Sequence, residues 1–405
     1  MAGQLPLEGV KVADFSWVIA GPLTTKYLAI FGAQVVRIES HSKLDRFRLQ
    51  PPFVGKPSRN SSLPFADVNV SKMSLCLNLN KPRAVDLAKR LVAWADVVTE
   101  NFSAGQMASW GLGYDDLRRI NPGIIMLSSS QLGQTGPNAG HPGIGNLLQA
   151  HAGVNHMTGW PDRDPTGPAV PYPDMIGPWF SIVSIVAALE YRDRTGKGQY
   201  LDLSQHESTL QFISPALLDY GVNGREGERR GNESEEAAPH NAYPCRGEDA
   251  WCAISVRTDA QWEAFGRVLG PSEAGWVREP RFGTLINRLR HRAELDEHVS
   301  TWTRERDAGE VMRSMQEAGV PASVVASGRD LHEDPQLRHR GHFAMVEHPR
   351  LGSHPCTTPA FHISDMPPDI RPAPSLGQDT EVVCREILGL SESEYAELAD
   401  EGVFS

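Results

Sequence analysis

Four short runs rich in β-branched and aliphatic residues recur along the first third of the chain: Lys11-Val-Ala-Asp-Phe, Val35-Val-Arg-Ile-Glu, Val97-Val-Thr-Glu-Asn and Ile124-Ile-Met-Leu-Ser. Between them lie helical patterns at residues 23–31, 84–95 and 117–120. A strand that feeds a helix and then another strand must return by a crossover, so the strands pair in parallel and helices cover the sheet. The expected fold class is therefore α/β, an open Rossmann-like sheet. Ala20-Gly-Pro marks the turn into the first helix and Gly32 its end. Yet no G-x-G-x-x-G follows the first run and no G-x-x-x-x-G-K-[S/T] occurs anywhere, which excludes the usual dinucleotide and ATP loops. Thr195-Gly-Lys-Gly-Gln lacks the upstream glycine and follows a helix, so it reads as a helix-end turn before a further strand at 200–203.

The stretch 158–173 holds five prolines and two glycines, too many for a helix or a central strand. It reads as a rigid connection that delivers Asp174 to the start of a helix. From Ile176 the residues Ile176, Phe180, Val183, Ala187 and Tyr191 recur at helical spacing and suggest a buried face, with Pro178 in the first turn. Asp174 then stands at a helix N-terminus, where unpaired backbone N–H groups favour an anion. An N-cap explains it equally well at this point.

A length of 405 residues allows two or three domains. The pattern suggests a large domain from 1–220 and 330–405, a charged linker or mobile loop at 221–238, and a smaller α/β domain at 239–329. The smaller domain has strand runs near 251–256 and 320–325 and helical patterns at 261–269, 293–305 and 308–318. A net charge of −11 argues against nucleic acid as a partner. We find no leader and no apolar run near the roughly eighteen residues that span a bilayer, so the expectation is no membrane and a cytoplasmic location. Five scattered cysteines, with no C-x-x-C pair, suit reduced structural thiols and no metal site.

Taken together, T-G-x-P…D…G…A-A-L-x-x-R…T-G-K-G-Q-x-x-D-x-S, with L-E-G-V-K-V-A-D-F near the start and P-S-L-G-Q-D-T-E-V-V-C-R-E-I-L-G-L near the end, resembles the family III CoA-transferases. This CaiB/BaiF group includes formyl-CoA, carnitine and benzylsuccinate CoA-transferases. The resemblance covers nearly the whole chain. It implies a large domain built from both ends of the chain, a smaller inserted domain, and two chains threaded as interlocked rings. It also implies a homodimer or a heteromer with a related subunit.

By the same resemblance Asp174 is the nucleophile. The substrates are an acyl-CoA, with succinyl-CoA as a plausible donor, and a carboxylic acid; the CoA thioester is a substrate, and no cofactor is bound permanently. CoA-contact positions carried over are Val18, Ile19 and Ala20 in the first loop, Lys72, Leu77 and Asn78, and Asn101 and Phe102 in the E-N-F loop. Ser40 and Ser109 stand where relatives often carry phosphate-binding arginines, so Arg37, Lys43, Arg46, Arg48 and Lys72 become the candidates for that task. Tyr172, Met175 and Trp179 are the expected substrate pocket and suggest a bulky or aromatic diacid. His240 and Asn241 fall where relatives have a glycine-rich loop that closes over the intermediate. Two alternatives stay open. An α-methylacyl-CoA racemase needs a histidine where Ile144 or Gly143 stands, and a catalytically silent partner subunit would keep the fold without the chemistry.

Overall fold

The computed structural model describes residues 5–271 and 275–405. It divides into two compact units, one made of the chain up to Asn155 with Gly167–Gly227 and Gln336–Ser405, the other of His156–Thr166 with Glu228–Pro335. Relative to the expected boundaries, residues 221–227 group with the large unit and 156–166 with the small one.

The large unit is built on six parallel strands: β1 (Lys11–Asp14), β2 (Gln34–Glu39), β3 (Met73–Cys76), β4 (Val97–Glu100), β5 (Ile125–Ser130) and β6 (Tyr200–Ser204). They lie in the order β3-β2-β1-β4-β5-β6. This is the doubly wound order, in which chain direction reverses between β1 and β4 and opens a crevice beyond their carboxyl ends. Sequence pattern missed β3, whose four residues Met-Ser-Leu-Cys are too few and too mixed to stand out. The strand is an edge, and the C-terminal segment covers it: Ser74 N–H donates to Asp379 (2.8 Å) and Cys76 N–H to Thr380 Oγ1 (3.0 Å).

Because successive strand residues face opposite ways, neighbours feed two different cores. Ala13, Val36, Leu75 and Val98 pack with Leu87, Ala88 and Leu91 of helix α1 (Pro82–Trp94) and with Val383 and Leu398 of the C-terminal segment. On the other face Val12, Val35, Val97 and Leu127 meet Leu28 and Ala29 of Ala20–Ile30 and Ile185, Ala188 and Leu189 of the long helix α2 (Tyr172–Thr195). Burial on both faces explains why the strand runs are continuously apolar.

Helix α2 corrects two expectations. It begins at Tyr172, so Pro178 lies inside it and Asp174 sits in its first turn. Its buried stripe is Ile176, Ser181, Ile185, Ala188 and Leu189, whereas Phe180, Val183 and Tyr191 face outward at 38%, 69% and 36% exposure. The helix is apolar nearly all round, so periodicity could not choose the face. By length and composition α2 could also cross a bilayer, contrary to the absence of such a run expected above. Its packing against the sheet makes it a core helix.

The small unit has an antiparallel sheet β7 (His240–Pro244), β8 (Trp251–Ser255) and β9 (Ala322–Val324). Helices Asp259–Leu269, Arg292–Thr303 and Ala308–Glu317 close its core around Tyr243, Ile254, Phe265, Leu295 and Met315.

Beneath the crevice lies a buried set of three carboxylates, Asp14, Glu39 and Asp45, and three cations, Arg37, Arg48 and Lys72. Arg48 grips Glu39 through Nε (2.8 Å) and NH2 (2.6 Å). Burial opposes ionisation of Glu39, but Arg37 and Arg48 together hold its carboxyl down at about 2. Its contribution to stability is full above the ordinary carboxylate range near 4.5 and is lost as pH falls from there toward 2. Glu39→Gln should therefore lower the thermal midpoint at pH 7, by the equivalent of about 3 kcal/mol. The variant should also show a shallower loss of stability between pH 5 and 3, measured by calorimetry, because that group no longer titrates.

Candidate active site

The carboxyl ends of β1, β4, β5 and β6 converge on a cleft of about 180 Å³. Val18, Ile19, Ala20, Asn101, Phe102, Ser129, Ser130, Asp174 and Gln205 line it. One wall is the loop after β1, and its shape is enforced. Val18 adopts φ +67°, a left-handed conformation that a β-branched residue avoids. Asp45 holds it there, taking Val18 N–H at 3.2 and 3.1 Å on its two oxygens while it also pairs with Arg37. Arg37 NH1 donates to Ser16 O (2.8 Å). Asn101 clasps the next residue from β4's end: Trp17 N–H donates to Asn101 Oδ1 (2.7 Å) and Asn101 Nδ2 donates to Trp17 O (2.8 Å). The loop runs into the helix Ala20–Ile30, whose first turn has no acidic residue and no side-chain cap. That leaves its backbone donors and positive dipole end facing the cleft.

Across from it stands Asp174. Two glycines shape its surroundings. A Cβ on Gly145 would lie 2.4 Å from Asp174 Oδ2 and 2.7 Å from Pro171 Cβ, so the carboxylate presses against bare backbone. A Cβ on Gly177, one turn further along α2, would lie 3.3 Å from the Gln205 side chain, which is 4% exposed and hydrogen-bonds to Asp174. Burial pushes the Asp174 carboxyl up to about 6, against the pull of the Gln205 hydrogen bond. It remains mostly ionised at neutral pH. No lysine or arginine lines the cleft among the described residues, and His141 is the other titratable side chain there. Ser129 Oγ and Ser130 Oγ are buried at its floor without a protein partner among the described residues.

A second groove, of about 270 Å³, adjoins the cleft at Phe102 and Ser103. Trp17, Phe102 and Trp110 form an aromatic wall, with ring centroids 5.7 and 5.5 Å apart. Leu77, Asn78, Ser40, Ser42, Lys43 and Gln106 complete it.

The structure thus gathers Val18, Ile19, Ala20, Asn101, Phe102 and Asp174 in one cleft and Leu77 and Asn78 beside it. The basic candidates divide sharply. Lys72 Nζ is buried on Pro22 O (2.9 Å), Asn69 Oδ1 (3.0 Å) and Asp14 Oδ2 (3.4 Å), which uses all three ammonium donors and leaves none for a phosphate. Arg37 and Arg48 are likewise spent on internal carboxylates. Arg46 is exposed and outside both grooves; Lys43, over the Trp17 ring at 5.8 Å, is the basic residue that lines one. The expected substrate pocket is not assembled. Trp179 packs on Tyr27 and Tyr172 on Phe212, and neither these nor Met175 line the cleft. His240 and Asn241 belong to strand β7 of the small unit, not to a loop, and are tied to Ser255 and Asp296. Gln205, Gly145 and the Ser129-Ser130 pair went unnoticed in sequence. Gln205 alone had a signal, since it directly follows the T-G-K-G-Q-x-x-D-x-S motif.

The chain matches CoA-transferase family III over residues 7–380. It is 32% identical over 394 residues to the succinyl-CoA–D-citramalate CoA-transferase of Chloroflexus aurantiacus, covering 97% of this chain and 96% of that one. It is 31% identical over 405 residues to the β subunit of succinyl-CoA–L-malate CoA-transferase from the same organism, covering 98% of each. Among solved structures, a CaiB/BaiF family protein from Brucella suis superposes with a TM-score of 0.87 at 29% identity, over 95% of this chain and 100% of that one.

Gly145→Ala tests the packing around the carboxylate directly. The added methyl should drive Asp174 out of its contact with Gln205, visible as a changed rotamer in a crystal structure of a variant that still folds.

Proposed function

This chain belongs to CoA-transferase family III, and from that premise we propose that it carries CoA from succinyl-CoA to a short polar dicarboxylic acid through covalent intermediates on Asp174. The observation that supports this reading most is the placement of one isolated, mostly ionised carboxylate at the mouth of the β1/β4 crevice, opposite an uncapped helix N-terminus.

A thioester and a carboxylate exchange partners with no ATP, which accords with the missing phosphate loops. One oxygen of Asp174 attacks the thioester carbonyl and expels CoA thiolate, leaving a mixed anhydride. The thiolate then attacks the Asp174 carbonyl and releases the donor acid, so that the enzyme holds an aspartyl-CoA thioester. The acceptor acid attacks that thioester, and the thiolate returns to the new acyl carbonyl to give the product and restore Asp174. Negative charge passes from carboxylate to thiolate and back, so no general base is required. Backbone donors at Ile19 and Ala20 are in place for the oxyanion of the substrate carbonyl. The thioester arm lies along Val18–Ala20 and Asn101. The rest of CoA follows the aromatic groove past Leu77 and Asn78, with Lys43 in reach of its phosphates in the role expected of Lys72 and Arg46.

The acid follows from the lining. Asn101, Ser129, Ser130, Gln131 and His141 offer neutral or switchable donors, in a space suited to roughly six to nine heavy atoms. With Tyr172 and Trp179 elsewhere, nothing in the lining favours an aromatic acid. The citramalate and malate named for the two relatives are short hydroxylated diacids of this kind. The enzyme works in the cytoplasm as an assembly with a second copy or a related chain. The outward apolar residues Phe180 and Val183 of α2, with Leu218 and Val222 at 66% and 80% exposure, supply a face for such a partner.

Asp174→Ala should lower transfer at least about a thousandfold while circular dichroism and the thermal midpoint stay near those of the parent. In the parent, short diacids should outrank aromatic acids by tenfold or more in kcat/KM when a panel of acceptors is read by chromatography with succinyl-CoA as donor. Near-native transfer by Asp174→Ala, or a preference for aromatic acids, contradicts the reading.

A further inference from the structure

Gln205 is the one side chain that holds the Asp174 carboxylate from within the protein. It opens the helix Gln205–Leu210 at the end of β6, is 4% exposed, and reaches Asp174 through the slot that Gly177 leaves by having no side chain. An ionised carboxylate can only accept, so the amide NH2 end of Gln205 must face it. On the opposite side Oδ2 presses against Gly145. The carboxylate therefore has two distinct environments, a donor on one side and bare backbone on the other.

We propose that Gln205 is an oxyanion donor for the second half of the reaction, holding the Asp174 carbonyl oxygen while CoA thiolate attacks the Asp174 side-chain carbon. This rests on the reading of Asp174 as nucleophile and extends it. Once the other oxygen is acylated, the oxygen held by Gln205 is the carbonyl oxygen of the anhydride. The thiolate lone pair forms the S–Cγ bond and the C=O π pair moves onto that oxygen, where the Gln205 N–H meets the charge. Collapse re-forms C=O, breaks the Cγ–O bond to the acyl oxygen and releases the donor acid as its carboxylate; no proton is gained or lost. The same donor serves again when the acceptor acid attacks the aspartyl-CoA thioester. Gln205 thus covers a carbonyl different from the one met by the Ala20–Ile30 N-terminus.

A second consequence concerns titration. The start of Ala20–Ile30 and the end of β4 bring no charged side chain to the cleft, the segment 129–145 brings His141, and the Gly145–His151 helix has its one ionisable group, His151, stacked on His206. His206 itself, with Glu207, follows Gln205 and is outside the cleft lining. Removal of the Gln205 donor therefore leaves burial unopposed on Asp174.

The test compares Gln205→Met, close in volume but without a donor, with Gln205→Glu and Asp174→Ala, all in the full-length enzyme with succinyl-CoA and an acceptor diacid. In Gln205→Met, kcat should fall about a hundredfold, as for loss of one oxyanion donor, with KM values little changed. Its acid limb in kcat/KM should move above the parent's, and succinyl-CoA hydrolysis should rise relative to transfer because the anhydride waits longer for thiolate. Gln205→Glu, which sets a second carboxylate against the first, should shift the acid limb further still. Native kcat and an unmoved acid limb in Gln205→Met would overturn the assignment, as would a loss of kcat that merely follows a lowered thermal midpoint, with the limb and the hydrolysis ratio unchanged. If Asp174→Ala is inactive while Gln205→Met is native, only the role of Gln205 falls. If Asp174→Ala is active, the nucleophile reading falls with it.

Discussion

The arrangement rests on one buried carboxylate, Asp45, shared between the Arg37 guanidinium and the backbone of Val18. A valine in left-handed backbone costs on the order of 1–3 kcal/mol and persists only where its surroundings over-determine it. Here they do: Arg37 also carries Ser16 O, Asn101 holds both backbone groups of Trp17, and Asp14 accepts from Ser16 N–H at 2.9 Å. The strain is confined to the loop that sets the Ala20–Ile30 N-terminus against Asp174. The set of three cations and three carboxylates beneath it is neutral in sum, so the crevice receives a rigid wall without a strong field of its own.

That neutrality suits the exchange assigned to the site. Each step passes one negative charge between a carboxylate and a thiolate. A fixed arginine in the cleft would stabilise the resting carboxylate and blunt its attack. Burial works the other way: it raises Asp174 to about 6, high enough to make it a better nucleophile than an exposed carboxylate yet low enough to leave it ionised at neutral pH. The directional groups near the reaction are dipoles, the helix start and the Gln205 amide, which need not reorganise as charge moves.

Much of this was legible in the sequence, for reasons that differ by element. The parallel sheet announced itself because burial on both faces leaves continuous runs such as Val97-Val98. Asp174 stood out because prolines cannot be regular structure and must deliver something. What failed were questions of direction. The all-round apolar composition of α2 hid which side faces the core, and the outward side proved to be the one whose periodicity was noticed. Lys72, Arg37 and Arg48 look like a ligand-binding cluster in sequence, since a charge pattern does not say whether its partners are protein carboxylates or solvent. Gln205 was invisible as a functional group because a polar residue at a helix start is commonly exposed. Only the paired absence of side chains at Gly177 and Gly145 gives it a path to Asp174.

The account stands or falls on covalent chemistry at one residue. Incubation of the enzyme with succinyl-CoA and no acceptor, followed by rapid quench, proteolysis and mass spectrometry, reads that chemistry directly. The account predicts a CoA adduct on the peptide bearing Asp174, discharged when the acceptor acid is added before the quench. An unmodified Asp174 peptide during steady turnover, or an adduct on a different residue that the acceptor discharges, would contradict it.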